Sequence, residues 1–417
     1  MQTSVGESDP VGVPVSYWWW LCGITVSLLG SQIQTFGLGW AATAHGASLA
    51  ALVITAASVP GLVLMLVGGA VADSRGPWAV MVLSDGMMCA ATAVLAVAFV
   101  LLGTPVWLLL SAAVVTGISN AFYIPSSATI PRRLVPGEAL GKAMAARSLS
   151  GQLVSLLGSP VGGVVVAAVG LAGAAVLNSA SFAVIFVLLL VARRHFTSDE
   201  PTTSSGSLVR RALAGVGLVA RDSVLRPLLL VLAAVALCML PVTTLLVPLL
   251  VRSHGWSASV AGEVLGAETV MSGITVVSVM VRGKFRRPGT AGCAGVVLAG
   301  AGTCGLGVAA GSRPALLVAA GVMGVGLGLF GSHVAPLLLA ATPKEYLSRV
   351  QAVATLSQTL PLVVGLNLAG LIVSVAGIRG ALLVMGGVVC VVGVLAVLSR
   401  PVRHASITRR AALPSCG

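Results

Sequence analysis

VPGEALGKAMA (135–145) returns 207 residues later as TPKEYLSRVQA (342–352), and that return decides how the chain is organised. Pro136 falls on Pro343, Glu138 on Glu345, Leu140 on Leu347, and the cation Lys142 on the cation Arg349. Farther on, Leu149 and Ser150 fall on Leu356 and Ser357, while Gly158, Gly163, Gly170 and Gly173 fall on Gly365, Gly370, Gly377 and Gly380. Residues 136–174 hold 13 identities at this one offset. Small apolar alphabets inflate chance matches, so the proline, glutamate and cation pairs weigh most. The offset is close to half of the 417 residues, so the chain reads as two copies of one unit.

Composition supplies the solvent for that unit. The chain is 57% hydrophobic and 8% charged, against about 25% charged residues in ordinary soluble domains. Such a chain cannot cover its surface for water, and lipid is the solvent it fits. Apolar runs stand at 18–40, 47–71, 78–102, 105–123, 146–169, 172–193, 227–250, 258–281, 289–311, 314–337, 351–376 and 380–399. A run of about 20 residues spans the roughly 30 Å hydrocarbon core as a helix. Helices satisfy every backbone donor and acceptor inside lipid, and the strict alternation of a membrane barrel is absent. The expected fold is an all-α membrane protein of twelve transmembrane helices in two parallel-repeat six-helix bundles. The expected divisions are a tail at 1–17, a first bundle at 18–193, a linker at 194–226, a second bundle at 227–399 and a tail at 400–417.

Lys and Arg in the loops orient it. The side holding both termini carries 21 of them and the opposite side carries Arg252, Arg313 and Arg379. Both termini are therefore expected in the cytoplasm. The net charge of +13 sits in the gaps between apolar runs, which makes it a topology signal and an attraction to the lipid bilayer, with no nucleic acid implied. The first residues carry Glu7 and Asp9 and no cation, unlike a cleavable signal peptide. In the linker, residues 197–207 are polar, with Pro, Ser and Gly, as in a flexible linker. Leu208, Ala212, Val216 and Val219 then recur at helical spacing beside Arg210, Arg211 and Arg221, as in a short helix on the membrane surface. The seven cysteines are scattered with no metal-spaced pair. GLGLFG (326–331) lies inside an apolar run with no preceding strand, so it is no dinucleotide loop. No phosphate-binding loop or nucleophile constellation appears, so neither an enzyme nor any cofactor is expected.

Two motifs carry a family resemblance. GGAVADSRGPWAV (68–80) resembles the signature loop of the major facilitator superfamily through Gly69, Asp73 and Gly76. It departs at Ser74, Pro77 and Trp78, where that family prefers cations, and Arg75 can replace one of them. The resemblance implies a cytoplasmic gate latch here. Asp85, two turns into the third apolar run on the cytoplasmic side, is a candidate partner of the latch or of another loop's cations, or a structural residue. GSPVGG (158–163) resembles the Gly-Pro-x-x-Gly-Gly motif of that superfamily's antiporters through Gly158, Pro160, Gly162 and Gly163. Physically, the proline removes a helix hydrogen bond and the glycines admit a neighbouring backbone, as a rocking interface requires, although tight packing alone needs the same residues. The wider run 117–182 is similar to the branch containing macrolide and siderophore exporters, in the bacterial cytoplasmic membrane.

Glu263 and Glu268 are the only charges between Ser257 and Val281. Five residues put them about 140° apart around a helix. Glu268 shares a stripe with Ser272 and Thr275, and Glu263 shares one with Gly266, Ala267 and Val270. An ionised carboxylate at the bilayer centre costs about 2.5–3.5 kcal/mol on insertion scales, so a proton is its easiest counter-ion. Glu268 is thus a candidate site for a proton or a cationic substrate, or a neutral acid bonded to a neighbouring helix. Glu263 is the weaker coupling candidate and fits an outer vestibule. Gln32, Gln34, Asn120, His333, Gln358 and Asn367 are polar candidates for a cavity lining, and Trp40 and Phe122 offer aromatic surface. The expected activity is proton-coupled export of an amphipathic small molecule by a monomer. Uptake on the same fold, or a membrane receptor that transports nothing, remain the alternatives.

Overall fold

The apolar runs become helices, and the helices outrun them. A computed structural model of the chain describes residues 13–75, 77–137, 139–191, 222, 225–283, 287–309, 311–342 and 346–399; side chains at 62, 65–77, 125, 128–129, 132, 347–349 and 351–352 are outside the described set. In chain order the helices are α1 (Val15–Ala42), α2 (Ala47–Arg75), α3 (Pro77–Leu102), α4 (Val106–Leu134) and α5 (Leu140–Val191). Then come α6 (Leu225–Pro241), α7 (Val247–Ser253), α8 (Ala258–Arg282), α9 (Pro288–Val308), α10 (Arg313–Ala341) and α11 (Leu347–Leu398). A π turn, Val242–Leu246, joins α6 to α7 without ending the rod. Asp222 opens α6, its Oδ1 accepting from the Leu225 N–H at 3.0 Å, which satisfies one of the free donors of a helix start.

Among the described residues, nine helical segments are long and apolar enough to cross a membrane. Two of them, α5 and α11, have 52 residues each. A straight helix of that length would be about 78 Å long, far beyond the roughly 30 Å hydrocarbon core. Both are broken by a glycine, Gly170 (φ 67°, ψ −174°) and Gly377 (φ 71°, ψ 175°). That backbone region is essentially open to glycine alone. The two breaks stand 207 residues apart, at the offset of the sequence repeat. Each long helix is therefore a pair of arms, and the gaps between apolar runs at 169–172 and 376–380 mark the breaks.

Hydropathy placed the ends less well. The fourth apolar run stops at 123, yet α4 continues to Leu134, and α5 starts at Leu140, before the run at 146. The expected tail 1–17 likewise loses Val15–Tyr17 to the first turn of α1, where Tyr17 is fully buried. Helices cross the interface because their hydrogen bonds are internal, whereas an apolar count stops at the lipid edge. Most of the expected linker, with its surface helix, and the tail 400–417 lie outside the described residues.

Lateral packing uses glycine at the crossings and leaves large apolar residues on the outside. Val100, Val281 and Val375 are more than 70% exposed, as side chains that face lipid would be. Inside, α1 packs on α5 and α6 packs on α11, while α5 crosses α8 and α11 crosses α2. The last two crossings join the first part of the chain to the second.

Candidate functional site

The GSPVGG stretch of α5 lies where three helices meet. A Cβ on Gly158 would stand 2.8 Å from Cβ of Gln32, and one on Gly162 would stand 2.9 Å from Cβ of Phe36, both on α1. Gly163 faces the other way, onto α8, where a Cβ would stand 2.6 Å from Cα of Gly262 and 2.7 Å from the carbonyl oxygen of Ala258. Pro160 packs against Gly266 at 3.3 Å from where a Cβ would be. The motif thus glues α5 to α1 on one face and touches α8 backbone to backbone on the other.

The repeat-mates do the same in the second part. Gly365 abuts the carbonyl oxygen of Leu237 on α6, and a Cβ on Gly370 would lie 3.4 Å from Cα of Ser48 on α2. Where Pro160 would recur stands Asn367, whose Nδ2 donates to Oγ1 of Thr55 on α2 at 3.1 Å. At the α1 terminus near Ala42, Arg252 of α7 donates from Nη2 to the Trp40 carbonyl oxygen at 2.8 Å and covers the Trp40 ring at 4.4 Å. These cross-contacts gather toward the end of the molecule where α1 stops and α8 begins.

The two glutamates part company. Glu268 is half-buried; its Oε2 accepts from Thr269 Oγ1 at 3.1 Å, and its backbone carbonyl abuts Gly324 of α10. Ser272 and Thr275 follow along the same contact, against Gly328. The polar stripe therefore runs beside a helix seam rather than across an open wall. Glu263 is exposed and forms an ion pair with Arg313 at the start of α10. Of its stripe, Gly266 packs against Pro160 and Ala267 against the core while Val270 is exposed; the most buried face of α8 is Val260, Ala261, Val264 and Leu265.

The remaining candidates scatter. Gln34 is buried and its Oε1 accepts from Asn178 Nδ2 at 2.5 Å, inside the α1–α5 contact. His333 is buried on α10, with Nδ1 against the Leu329 carbonyl at 2.9 Å. Phe122 lines an apolar groove of about 550 Å³ between α3 and α4, together with Leu83, Met87 and Ile118. Gln32, Asn120, Gln358 and Asn367 keep exposed positions within the helices. Of the latch loop, Gly76, the surroundings of Gly69 and the side chains of Asp73 and Arg75 lie outside what the structure describes. Asp85 is fully buried and neither of its carboxyl oxygens has a hydrogen-bond partner among the described residues, which do not include the latch side chains.

One cluster escaped the sequence. Arg147, which hydropathy leaves at a span edge, enters the bundle: Nη1 donates to the Ser127 carbonyl at 2.5 Å and Nη2 to Ser127 Oγ at 3.2 Å, with the guanidinium 5.6 Å from the Trp20 ring centre. Tyr123, also buried, lies within electrostatic reach of both Arg147 and Asp85. The available signal was the helix-forming run AMAARS ahead of the apolar one, which carries the helix back past Arg147.

A family model described as Major Facilitator Superfamily matches residues 20–302. The chain belongs to the major facilitator superfamily. It is a transporter rather than an enzyme, and an integral membrane protein. No curated protein matches the sequence. Among solved structures, the POT family transporter PepTSo is 12% identical, with a TM-score of 0.67 over 91% of this chain and 97% of that one. A POT family transporter in complex with 5-aminolevulinic acid is 13% identical, with a TM-score of 0.68 over 92% and 96%. A D-xylose-proton symporter is 15% identical, with a TM-score of 0.63 over 91% and 97%. At such identities the likeness is one of fold.

Proposed function

We propose that the chain is a twelve-span, proton-coupled exporter of amphipathic small molecules such as drugs, siderophores or secondary metabolites, working by alternating access. Counting the arms of α5 and α11 separately, and α6–α7 as one rod, supports six spans in 18–193 and six in 227–399. The matched breaks at Gly170 and Gly377 support a parallel repeat. In this reading the protein is a monomer in the bacterial cytoplasmic membrane with both termini in the cytoplasm. It binds protons and lipid and uses no cofactor or nucleic acid.

The observation that carries the reading is the place of the antiporter-like motif. Gly158 and Gly162 fix α5 to α1, while Gly163 meets Gly262 of the other half with no side chains between. A bare backbone crossing lets one half rock on the other without tearing an interdigitated core. With the end near Trp40 and Arg252 taken as the outside, this conformer is closed outward. Glu268, at mid-span in α8, is the coupling carboxylate of this reading, and the scarcity of midplane cations suits apolar cargo.

Inside-out vesicles test it. A panel of lipophilic compounds should accumulate when the lumen is acid, should release lumenal protons as they enter, and should leak away when a protonophore is added. The second reading, uptake, is favoured by the shared fold of a proton symporter. Compound entry into right-side-out vesicles down an inward proton gradient would replace export by uptake, and no movement in either geometry would overturn both.

A further inference from the structure

The outer side of the first bundle holds a groove that the export reading does not use. It runs between α3 and α4, has a volume of about 550 Å³, and is walled by residues within 79–91 of one helix and 115–122 of the other. Val80 and Met88, both buried, form its floor. Leu83 and Met87 of α3 and Ile118 of α4, all exposed, form its rims. The rims continue the exposed stripes of Val94, Val97 and Leu101 on α3 and of Trp107 and Val114 on α4. The groove therefore opens to lipid and not to the seam between the halves. Its volume is that of a site for a small molecule.

Two hydroxyls interrupt the apolar lining, Ser84 and Ser119, both half-buried. A serine or threonine inside a helix can bond back to the carbonyl four residues earlier. On the same two helices Thr92, Ser111 and Thr116 do so, at 2.6, 2.8 and 2.9 Å. Ser84 and Ser119 form no hydrogen bond with any described residue, so both donors are available to a ligand. Ser84 stands 18 residues before Leu102, the end of α3, and Ser119 stands 13 residues after Val106, the start of α4. Their depths differ by five residues, or roughly 7 Å along the axis, and Ser119 is near mid-span. The ester carbonyls of a phospholipid stay at the interface, so a phospholipid chain in the groove would leave the Ser119 hydroxyl unbonded in hydrocarbon, an unfavourable state. The occupant that matches this lining carries hydrogen-bond acceptors on an apolar body.

We propose that the α3–α4 groove is a binding site for a lipophilic small molecule, such as an aromatic ketone or ester, that enters from the bilayer and accepts hydrogen bonds from Ser84 and Ser119. The apolar walls hold its body, and the two hydroxyls fix its register along the groove. The site is separate from the α5–α8 crossing and from Glu268. The inference rests on the membrane-embedded fold and not on export.

Photolabelling of the full-length protein in liposomes with 4-acetylbenzophenone, an aromatic body with two ketone acceptors, tests it, with the label located by peptide mass spectrometry. Label should concentrate within residues 79–91 and 115–122 and saturate with dose. Ser84→Ala and Ser119→Ala should each raise the half-saturating concentration about threefold to tenfold, the worth of one neutral hydrogen bond. Ala91→Phe, which fills the groove, should remove the saturable label, and the serine variants serve if it does not fold. A diazirine-bearing aromatic hydrocarbon with no acceptor should label the wild type and both serine variants alike. Label spread evenly over lipid-facing residues such as Val97 and Val100 overturns the site. Saturable label in the groove that neither serine variant changes overturns recognition by the hydroxyls. A phosphatidylcholine with benzophenone at mid-chain that labels the groove with the same serine dependence makes a lipid the occupant and overturns the small-molecule assignment. Saturable, serine-dependent label on protein that moves no cargo in vesicles supports the site while export fails.

Discussion

Arg252 grips Trp40 twice, by a hydrogen bond of 2.8 Å to its carbonyl oxygen and by a guanidinium 4.4 Å from its ring centre. The residues are 212 positions apart and belong to the helices that open the two halves of the chain, α1 and the α6–α7 rod. Few contacts could be better placed to hold one end of the molecule shut. A charge-assisted hydrogen bond and a cation–π contact together contribute about 2 kcal/mol, which is roughly a 30-fold shift of a two-state equilibrium. Arg252→Ala should therefore populate the conformer open at that end. Spin labels at Ala44 and Ser253 would report a longer distance population in the variant. An unchanged distribution would mean that the grip is not a gate.

Gly163 and Gly262 supply the second test. A methyl at 163 would meet Cα of Gly262 and the Ala258 carbonyl at under 3 Å, with backbone on both sides that cannot step aside. Gly163→Ala should cost about 1–3 kcal/mol as an overpacking change and slow transport about tenfold or more while the protein still inserts. Gly262→Ala should act alike, and the double variant should fall short of the sum because both press on one crossing. Gly141→Ala, with nothing within 4 Å of its added carbon, is the control. Vesicle transport rates and thermal midpoints of the four proteins decide it.

The glycine breaks make a matched pair. At Gly170 and Gly377 no atom would clash with an added Cβ, so any penalty comes from the positive φ alone. Alanine at either should cost about 1–3 kcal/mol and lower the thermal midpoint by several degrees, by similar amounts at the two sites. Gly387→Ala, equally uncrowded and without positive φ, should leave the midpoint in place. Unequal effects at 170 and 377 would show that the two arms' junctions are not equivalent.

How much of this could be read beforehand depends on whether the feature is local. Gly170 and Gly377 stand in the gaps between apolar runs, and glycine at a reversal has a local cause, so the breaks were visible. The repeat was visible because Pro, Glu and a cation are rare in this alphabet. Hydropathy reports which solvent surrounds a residue, but not which helix it faces. Gln34 reads in the sequence as a candidate for a cavity lining, and only folding brings Asn178 to it from 144 residues away. Arg313 was assigned to the same side of the membrane as Glu263, yet their pairing needs the α8–α10 contact. Arg147 was lost for another reason. Hydropathy puts it at the edge of the run 146–169, while the helix starts at Leu140 and carries the guanidinium inward.

The two glutamates of α8 separate packing from coupling most sharply. Glu263 pairs with Arg313, and the side chains are 40% and 50% exposed. Solvent screens such a pair, so Glu263→Gln should change stability by no more than about 1 kcal/mol and leave proton-linked transport intact. Among the described residues Glu268 has no cation on it, only the Thr269 hydroxyl, and its carbonyl sits on the Gly324 crossing. Glu268→Gln keeps the side chain's shape and its acceptor oxygen while removing the titrating group. If Glu268 carries the coupling proton, the variant should still exchange labelled cargo across vesicles at equilibrium, but should lose accumulation against a gradient by tenfold or more. Counterflow and pH-driven accumulation, measured on the same vesicles, distinguish a broken coupling from a broken fold. Full accumulation by Glu268→Gln would remove Glu268 from the mechanism.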